Sequence, residues 1–283
     1  TAAEESHTDR VTAFNSDGFS LGSSSLVNTN TYNYAAWQWK ANGGTTASNS
    51  DGSVTSTVQA NQDAGFSIVT FTSASSGVFS VGHGLGVQPA MIITKSRDGT
   101  SNWWTWHKGL TGGNSNTSYI VALERTNAEA SYANAWGSTG VTSSVFGMQS
   151  GNTAEASDAY VAYCFAEKQG YSKFGKYVGN GSSDGSFAYT GFKPEFVIVK
   201  RIDSTNNWII TDNARGINAA NPRLYADLAD AEGSAADYID HLSNGFKIRT
   251  SAGSMNTSGG SYIYMAFAEN PFTTSTGIPT TAR

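Results

Sequence analysis

The sequence predicts an all-β protein made of two tandem antiparallel β-sandwich-like modules of about 100 residues, preceded by half of a third copy. Three observations predict this class. Short apolar runs are separated by turn residues. The chain contains 31 glycines, and only 14% of its residues are charged. Long stretches of the sequence also occur more than once in the chain. Such a composition is typical of short strands joined by tight turns. Because no helix pattern alternates with the strands, a parallel sheet is not expected.

The predicted strands are short runs rich in β-branched and aromatic residues, each bounded by Gly, Asn, Asp or Ser. In chain order, the clearest strands are residues 66–71, 91–95, 119–123, 196–200, 208–211 and 246–249. Asp-Gly and Asn-Gly pairs, such as Asp98-Gly99 and Asn244-Gly245, supply the tight turns between strands. Residues 221–236 carry the one helix-like pattern, limited to two turns by an internal glycine.

Two blocks of sequence establish the internal repeat. In the first block four residues recur 105 positions later, giving the pairs Pro89/Pro194, Lys95/Lys200, Asp98/Asp203 and Trp103/Trp208. The second block, residues 160–167, returns as 262–269 and, in a more divergent form, as 34–40. An Ala-Glu pair precedes each, ending at Glu4, Glu129 and Glu232. Three second halves are therefore present with only two first halves.

This repeat predicts the organisation of the chain, because a period near 100 residues is long enough for a unit with its own core. The expected segments are a truncated second half at 1–41, a linker at 42–63, complete modules at 64–170 and 171–272, and a tail at 273–283. The sequence is expected to begin inside a repeat. Residues 1–41 are then expected to pair with residues outside the chain shown or to lie against 64–167.

Composition excludes several classes of function. A net charge of −5 argues against nucleic-acid binding, which needs a basic face. No apolar run is long enough to span a membrane, so no membrane insertion is expected. The four histidines occupy unmatched repeat positions and Cys164 is single, so neither a metal site nor a cofactor is predicted. Acids that recur in every module are better explained as structural, and no catalytic residue is assigned.

Four residues are candidates for facing a ligand. Trp103, Trp104 and Trp106 stand close together, and in a strand Trp104 and Trp106 share one face. Trp103 has a repeat partner in Trp208 and is expected in the core. Trp104 and Trp106 are matched by Ile209 and Thr211, so the repeat does not require a tryptophan at either position. Burial is the favoured interpretation of Trp106, and the alternative is an aromatic platform for a sugar or a neighbouring chain. Arg97 and Arg201 follow strands and could form a polar rim, or simply pair with nearby carboxylates.

The repeat also carries a resemblance. The segments concerned are residues 14–22, 34–41, 81–89, 160–167, 170–175 and 266–272. They resemble the tandem modules of tail and fibre-like virion structural proteins from marine tailed phages of the cyanophage type, over nearly the whole chain. The resemblance implies fibre-like proteins with lectin-like sandwich domains nearby, and no catalytic residues. Copies in that family usually begin with the half-module that is missing before Thr1.

Together these observations predict a non-enzymatic virion protein, part of a tail-associated fibre or appendage that serves assembly and host-surface attachment. Its expected partners are copies of itself as a homo-oligomer, with a trimer favoured by the fibre analogy, other virion proteins, and a host glycan or protein. A bacterial extracellular carbohydrate-binding or adhesive module, secreted or on the cell surface, is the first alternative. A polysaccharide depolymerase is the second.

Overall fold

Twenty strands in five sheets form the framework of the computed structural model, which describes residues 2–41, 44–216, 218, 222–233 and 238–269. Every ladder between these strands is antiparallel, in agreement with the register of each pair. The predicted all-β class is therefore confirmed. The predicted tail, 273–283, lies outside the described residues.

The first copy of the repeat, residues 2–41, begins with a hairpin of β1 (Val11–Phe14) and β2 (Phe19–Leu21). A single helical turn, α1 (Ser25–Asn28), follows, and its first turn is capped because the Ser24 hydroxyl accepts from the Leu26 amide. Residues 34–40 then run without a ladder partner.

The second copy, residues 64–167, lies in a sheet of eight strands and a separate strand pair. The strands are β3 (Ala47–Asn49), β4 (Ser56–Asn61), β5 (Phe66–Thr72), β6 (Val78–Gly82), β7 (Met91–Ser96), β8 (Trp104–His107), β9 (Tyr119–Ala122), β10 (Ala130–Ser131), β11 (Val145–Gln149) and β12 (Ala159–Phe165). The large sheet has the order β10-β9-β8-β7-β12-β5-β4-β3, and β6 pairs with β11.

The linker predicted at 42–63 is wrong, because β3 and β4 extend the large sheet. β4 pairs with β5 along its whole length, from Ser56 opposite Phe71 to Asn61 opposite Phe66. Val58 points into the core beside Val69 and is only 7% exposed. The segment was predicted to be a linker because it is rich in Ser, Thr and Asn, but its Val58 side chain faces the core. Residues 42 and 43 are outside the described part of the chain.

The third copy, residues 171–268, repeats the same topology. Its strands are β13 (Ser172–Val178), β14 (Phe187–Tyr189), β15 (Pro194–Arg201), β16 (Trp208–Asp212), β17 (Leu224–Tyr225), β18 (Ile239–Leu242), β19 (Gly245–Ile248) and β20 (Ser261–Ala268), with one helical turn, α2 (Gly253–Asn256). The order β17-β16-β15-β20-β13 matches β9-β8-β7-β12-β5, and β19 pairs with β14 as β11 does with β6.

The helix-like pattern at 221–236 is not a helix within its described residues, 222–233. β17 forms there instead, because Leu224 and Tyr225 pair with Ile210 and Ile209 of β16. A tertiary partner outweighs the local preference of a short segment.

The sheets pack in four layers with three apolar cores between them. The β6–β11 pair covers one face of the eight-stranded sheet, and the β14–β19–β18 sheet covers one face of the five-stranded sheet. The two large sheets face each other across a central core that includes Met91, Phe165, Phe196 and Phe267. The second and third copies therefore share a core rather than standing apart.

One local motif recurs in all three copies. In each copy a tyrosine hydroxyl accepts a hydrogen bond from the amide five residues earlier. The three bonds join Tyr34 to the Thr29 amide at 3.0 Å, Tyr160 to the Glu155 amide at 2.8 Å and Tyr262 to the Thr257 amide at 2.8 Å. Tyr34 and Tyr262 also each donate to a carbonyl in the preceding helical turn. This shared geometry gives residues 2–41 the local structure of a second half-module.

The three copies meet at equivalent positions. Trp39, Phe165 and Phe267 are five residues beyond the three tyrosines, and their rings lie 5.9, 5.3 and 6.1 Å apart in pairs. The amide of Glu4 donates to the Arg97 carbonyl at 2.7 Å, and the equivalent amide of Glu129 donates to the Ile202 carbonyl at 2.8 Å. Each copy thus contacts both of the others through these rings.

Candidate functional site

Trp106 does not face a ligand. Its side chain is 0% exposed, and its indole nitrogen donates to the carbonyl of Asn116 at 3.2 Å. The central position of β8 places it between the large sheet and the β6–β11 pair, so the favoured interpretation, a buried Trp106, agrees with the structure and the platform alternative is wrong for this ring. Trp104 and Trp106 do share one face of the strand, because both pack on the same core.

Trp104 lies at the start of β8, where the core opens to solvent. It is partly buried, and its ring centroid lies 6.2 Å from that of Tyr132. Tyr132 is 44% exposed, so the two rings form a small aromatic surface beside β9 and β10. Adjacent aromatic faces of this kind can stack on an apolar sugar face.

Arg97 and Arg201 are both committed to carboxylates. Arg97 forms an ion pair with Glu4 of the first copy, which raises the pKa of the guanidinium. Arg201 donates to both oxygens of Asp203 at 2.9 and 3.2 Å and to the Thr257 hydroxyl at 3.1 Å. The structural interpretation therefore explains both residues, and each holds two segments together.

Arg97 nevertheless borders a groove that the sequence did not reveal. This Trp103 groove, of about 390 Å³, lies between residues 2–4 of the first copy and Lys95, Arg97, Trp103 and Tyr163 of the second. The Lys95 ammonium donates to the carbonyls of Ser96 and Gly99 in its own loop. Burial lowers the pKa of this ammonium.

A second groove, the Trp37 groove, lies between residues 34–39 of the first copy and the third copy. Its volume is about 440 Å³, and its third-copy side includes Glu195, Phe196, Asp212 and Arg215. The Trp37 indole donates to Asp212 at 3.2 Å. The divergent tryptophans of residues 34–40 were the only sequence signal for this site, because its charged residues differ between the two complete copies.

The charges of the Trp37 groove are mostly paired. Arg215 contacts Asp212 and Glu232, both at 2.7 Å, and its guanidinium carbon lies 5.8 Å from the Trp37 ring centroid. Glu195 is the exception. Burial and the nearby carboxylates of Glu269 and Asp212 raise the pKa of its carboxyl group.

Three histidines, His83, His107 and His241, and the single cysteine, Cys164, are buried. Burial lowers the pKa of His83 to about 4 and of His107 to about 3, and it raises the pKa of the Cys164 thiol to about 12. A thiol of this kind is inert. Within the described residues no three His, Cys, Asp or Glu side chains are grouped so that they could hold a metal ion.

The fold and its two grooves define an all-β protein of sandwich-like repeats. A family model described as a domain of unknown function, DUF7483, matches residues 1–271, and the chain belongs to that family. No curated protein and no solved structure matches the chain. Across the described residues, no helix is long and apolar enough to cross a membrane.

Proposed function

We propose that this chain is a non-enzymatic structural protein of a phage virion, within a tail-associated fibre or appendage used for assembly and host attachment. The sequence resemblance to repeat modules of marine phage tail proteins supports the proposal. The structural observation that supports it is the packing of three repeat copies about one central core. A framework of this kind presents many polar loops on a rigid support without any disulfide.

The mutual contact of the three copies favours a particular place in such a particle. Because Trp39, Phe165 and Phe267 bring the copies together at one point, the repeats do not extend as a rod. The chain therefore suits a head or side domain on a fibre rather than the shaft itself. Attachment would then depend on several weak loop contacts multiplied over the copies of the particle.

The test is to locate the chain in the phage whose genome encodes it. We expect mass spectrometry of gradient-purified particles to detect the chain, and immunogold labelling to place it on the tail. Detection in infected-cell lysates together with absence from purified particles would contradict the proposal. A signal on the surface of uninfected bacteria would instead support the adhesin alternative.

The second candidate function is carbohydrate binding by a bacterial extracellular module, and the aromatic pair of Trp104 and Tyr132 favours it. In that case the Trp104→Ala chain loses binding on a glycan array, while the Tyr189→Ala chain keeps it, because Tyr189 is an exposed ring on the third copy. Equal binding by both variants would remove this candidate site.

Association with further copies of the chain belongs to the same proposal. Val11, Phe14 and Leu21 of the first hairpin are 41, 87 and 40% exposed, and Leu26 is 67% exposed. Exposed apolar residues grouped in this way are typical of a protein interface. We expect light scattering to show a homo-oligomer, with a trimer as the leading expectation, and a monomer at all concentrations would contradict it.

A further inference from the structure

Equivalent faces of the second and third copies differ in what covers them. On the third copy Trp208, Ile263 and Met265 are 1, 1 and 5% exposed. Their equivalents on the second copy, Trp103 and the pair Val161 and Tyr163, are partly exposed and border the Trp103 groove. The same apolar face is therefore sealed in one copy and open in the other.

The cover on the third copy comes from the first half of the second copy. Leu110 and Val121 pack in the core that holds Ile263 and Met265. Gly109 approaches so closely that a Cβ at this position would lie 2.9 Å from the side chain of Ile263. The apolar cover over Ile263 and Met265 thus comes from one segment, which runs from β8 to just beyond β9.

Hydrogen bonds fix that segment in place. The Trp208 indole donates to the Ala122 carbonyl at 2.9 Å, and the Lys200 ammonium donates to the Thr126 carbonyl at 2.9 Å. Each lysine also binds its own loop, Lys200 at the Asn206 carbonyl and the equivalent Lys95 at those of Ser96 and Gly99. Of the two, Lys200 alone also reaches a neighbouring copy. Among the described residues nothing accepts a hydrogen bond from the Trp103 indole. The open face of the second copy thus keeps an indole donor, Trp103, at the position where Trp208 of the third copy binds the Ala122 carbonyl.

The first copy lacks neighbours at the corresponding place. β12 and β20 each pair with a strand on both sides, β5 and β7 in one case, β13 and β15 in the other. Residues 34–40 occupy the equivalent position and have no ladder partner in the described part of the chain. Tyr34 is 49% exposed, whereas Tyr160 and Tyr262 are 1 and 0% exposed.

We propose that these two features form one half-module surface, made of Trp103, Val161, Tyr163 and both edges of residues 34–40. Its occupant is a polypeptide segment with the pattern of the first half of this repeat, the pattern of residues 64–126. Two strands of that segment add to the edges of residues 34–40 by main-chain hydrogen bonds. The apolar residues of that segment at the positions equivalent to Leu110 and Val121 cover the Trp103 face.

The internal repeat identifies this occupant. At the junction of the second and third copies, the first half of the second copy already covers the third-copy face that is equivalent to the Trp103 face. A second copy of the whole chain fits less well. Both of its first halves are engaged, since β5 and β7 pair with β12 while β13 and β15 pair with β20. The inference does not depend on the function proposed above.

The experiment appends a duplicate of residues 64–126 in front of the full chain through a short Gly/Ser linker. We expect amide hydrogen exchange of residues 34–40 to slow by about tenfold or more, because paired edge amides exchange only on local opening. The Trp103 indole is expected to become protected, and the melting temperature to rise. The matched control carries Asp at the duplicated positions of Leu110 and Val121 and should show none of these changes.

Two results would overturn the proposal. One is equal exchange of residues 34–40 in the fused chain, its control and the original chain. The other is self-association of the original chain that Tyr163→Asp abolishes and Tyr189→Asp does not, because this result makes a second whole copy the occupant. Light scattering and far-ultraviolet circular dichroism on the unfused variants separate this loss of association from misfolding.

Discussion

At the scale of single residues, the centre of the molecule is an aromatic cluster contributed by all three copies. Phe267 lies in it, 7% exposed, with its ring 5.3 Å from those of Trp39 and Tyr171 and 6.1 Å from that of Phe165. Edge-on contacts between such rings add to the stabilisation from burial. Substitutions here should affect every copy at once.

Phe267→Ala should lower the free energy of unfolding by about 3–5 kcal/mol, because it removes a packed aromatic side chain and leaves a cavity. Urea unfolding followed by tryptophan fluorescence measures the change. Phe14→Ala is the matched control, since Phe14 is 87% exposed and its loss should change stability by less than about 0.5 kcal/mol. Equal effects of both substitutions would contradict the central position of Phe267.

His107 should make stability depend on pH. Its ring is buried against the carbonyl of Tyr264, and burial lowers its pKa to about 3 from the ordinary 6.5. As pH falls from 6.5 toward 3, the unfolded chain takes up a proton that the folded chain does not. The stability contributed above pH 6.5 is therefore lost progressively on acidification.

His107→Gln should consequently flatten the decline in the free energy of unfolding between pH 6.5 and 4. Urea unfolding at several pH values measures this slope. His83, with a pKa lowered to about 4, leaves part of the decline in place. A His107→Gln slope as steep as that of the original chain would contradict the assignment.

At the scale of elements, alternating apolar patterns were enough to predict the long strands, and the repeat was enough to align the two copies. The predicted strands at 66–71, 196–200 and 208–211 lie within β5, β15 and β16. β4 escaped prediction because it carries few apolar residues, and β17 because its two residues are too few to show a pattern. Each depends on a neighbouring strand for its hydrogen bonds. Pairing of this kind is decided by tertiary context.

The inclusion of β4 in the large sheet leads to a prediction for hydrogen exchange. Amides of Ser56–Asn61 that bond to β5 should exchange as slowly as those of β5 itself, because both lie inside the sheet. Mass spectrometry after deuterium labelling measures the rates. The exposed residues 75–76 provide the fast reference, and exchange of β4 amides at the rate of those residues would restore the linker interpretation.

The candidate site was less predictable than the strands. Sequence spacing correctly placed Trp104 and Trp106 on one face, but burial depends on the layer above that face, and the β6–β11 pair covers Trp106 fully. Residues of the Trp37 groove come from segments 175 positions apart, Trp37 and Asp212. A local sequence pattern cannot predict a contact between residues so far apart in the sequence.

At the scale of the whole molecule, the shared central core ties the copies into one cooperative unit. Calorimetry of the full chain should show a single transition whose van't Hoff and calorimetric enthalpies agree, because unfolding either copy exposes apolar residues of the other. Residues 171–283 expressed alone should expose Phe196, Ile198 and Met265 and bind a hydrophobic dye. Two separated transitions would contradict this coupling.

The meeting of Trp39, Phe165 and Phe267 also bears on how such a gene can change. An open array of stacked repeats lengthens each time a copy is added at its end. Here every pair among the three rings is already in contact, and a fourth ring has no place at their centre. A further complete repeat inserted by unequal crossover would have to join a cluster in which each ring already contacts the other two, so we expect such an insertion to disturb this centre rather than to lengthen an array.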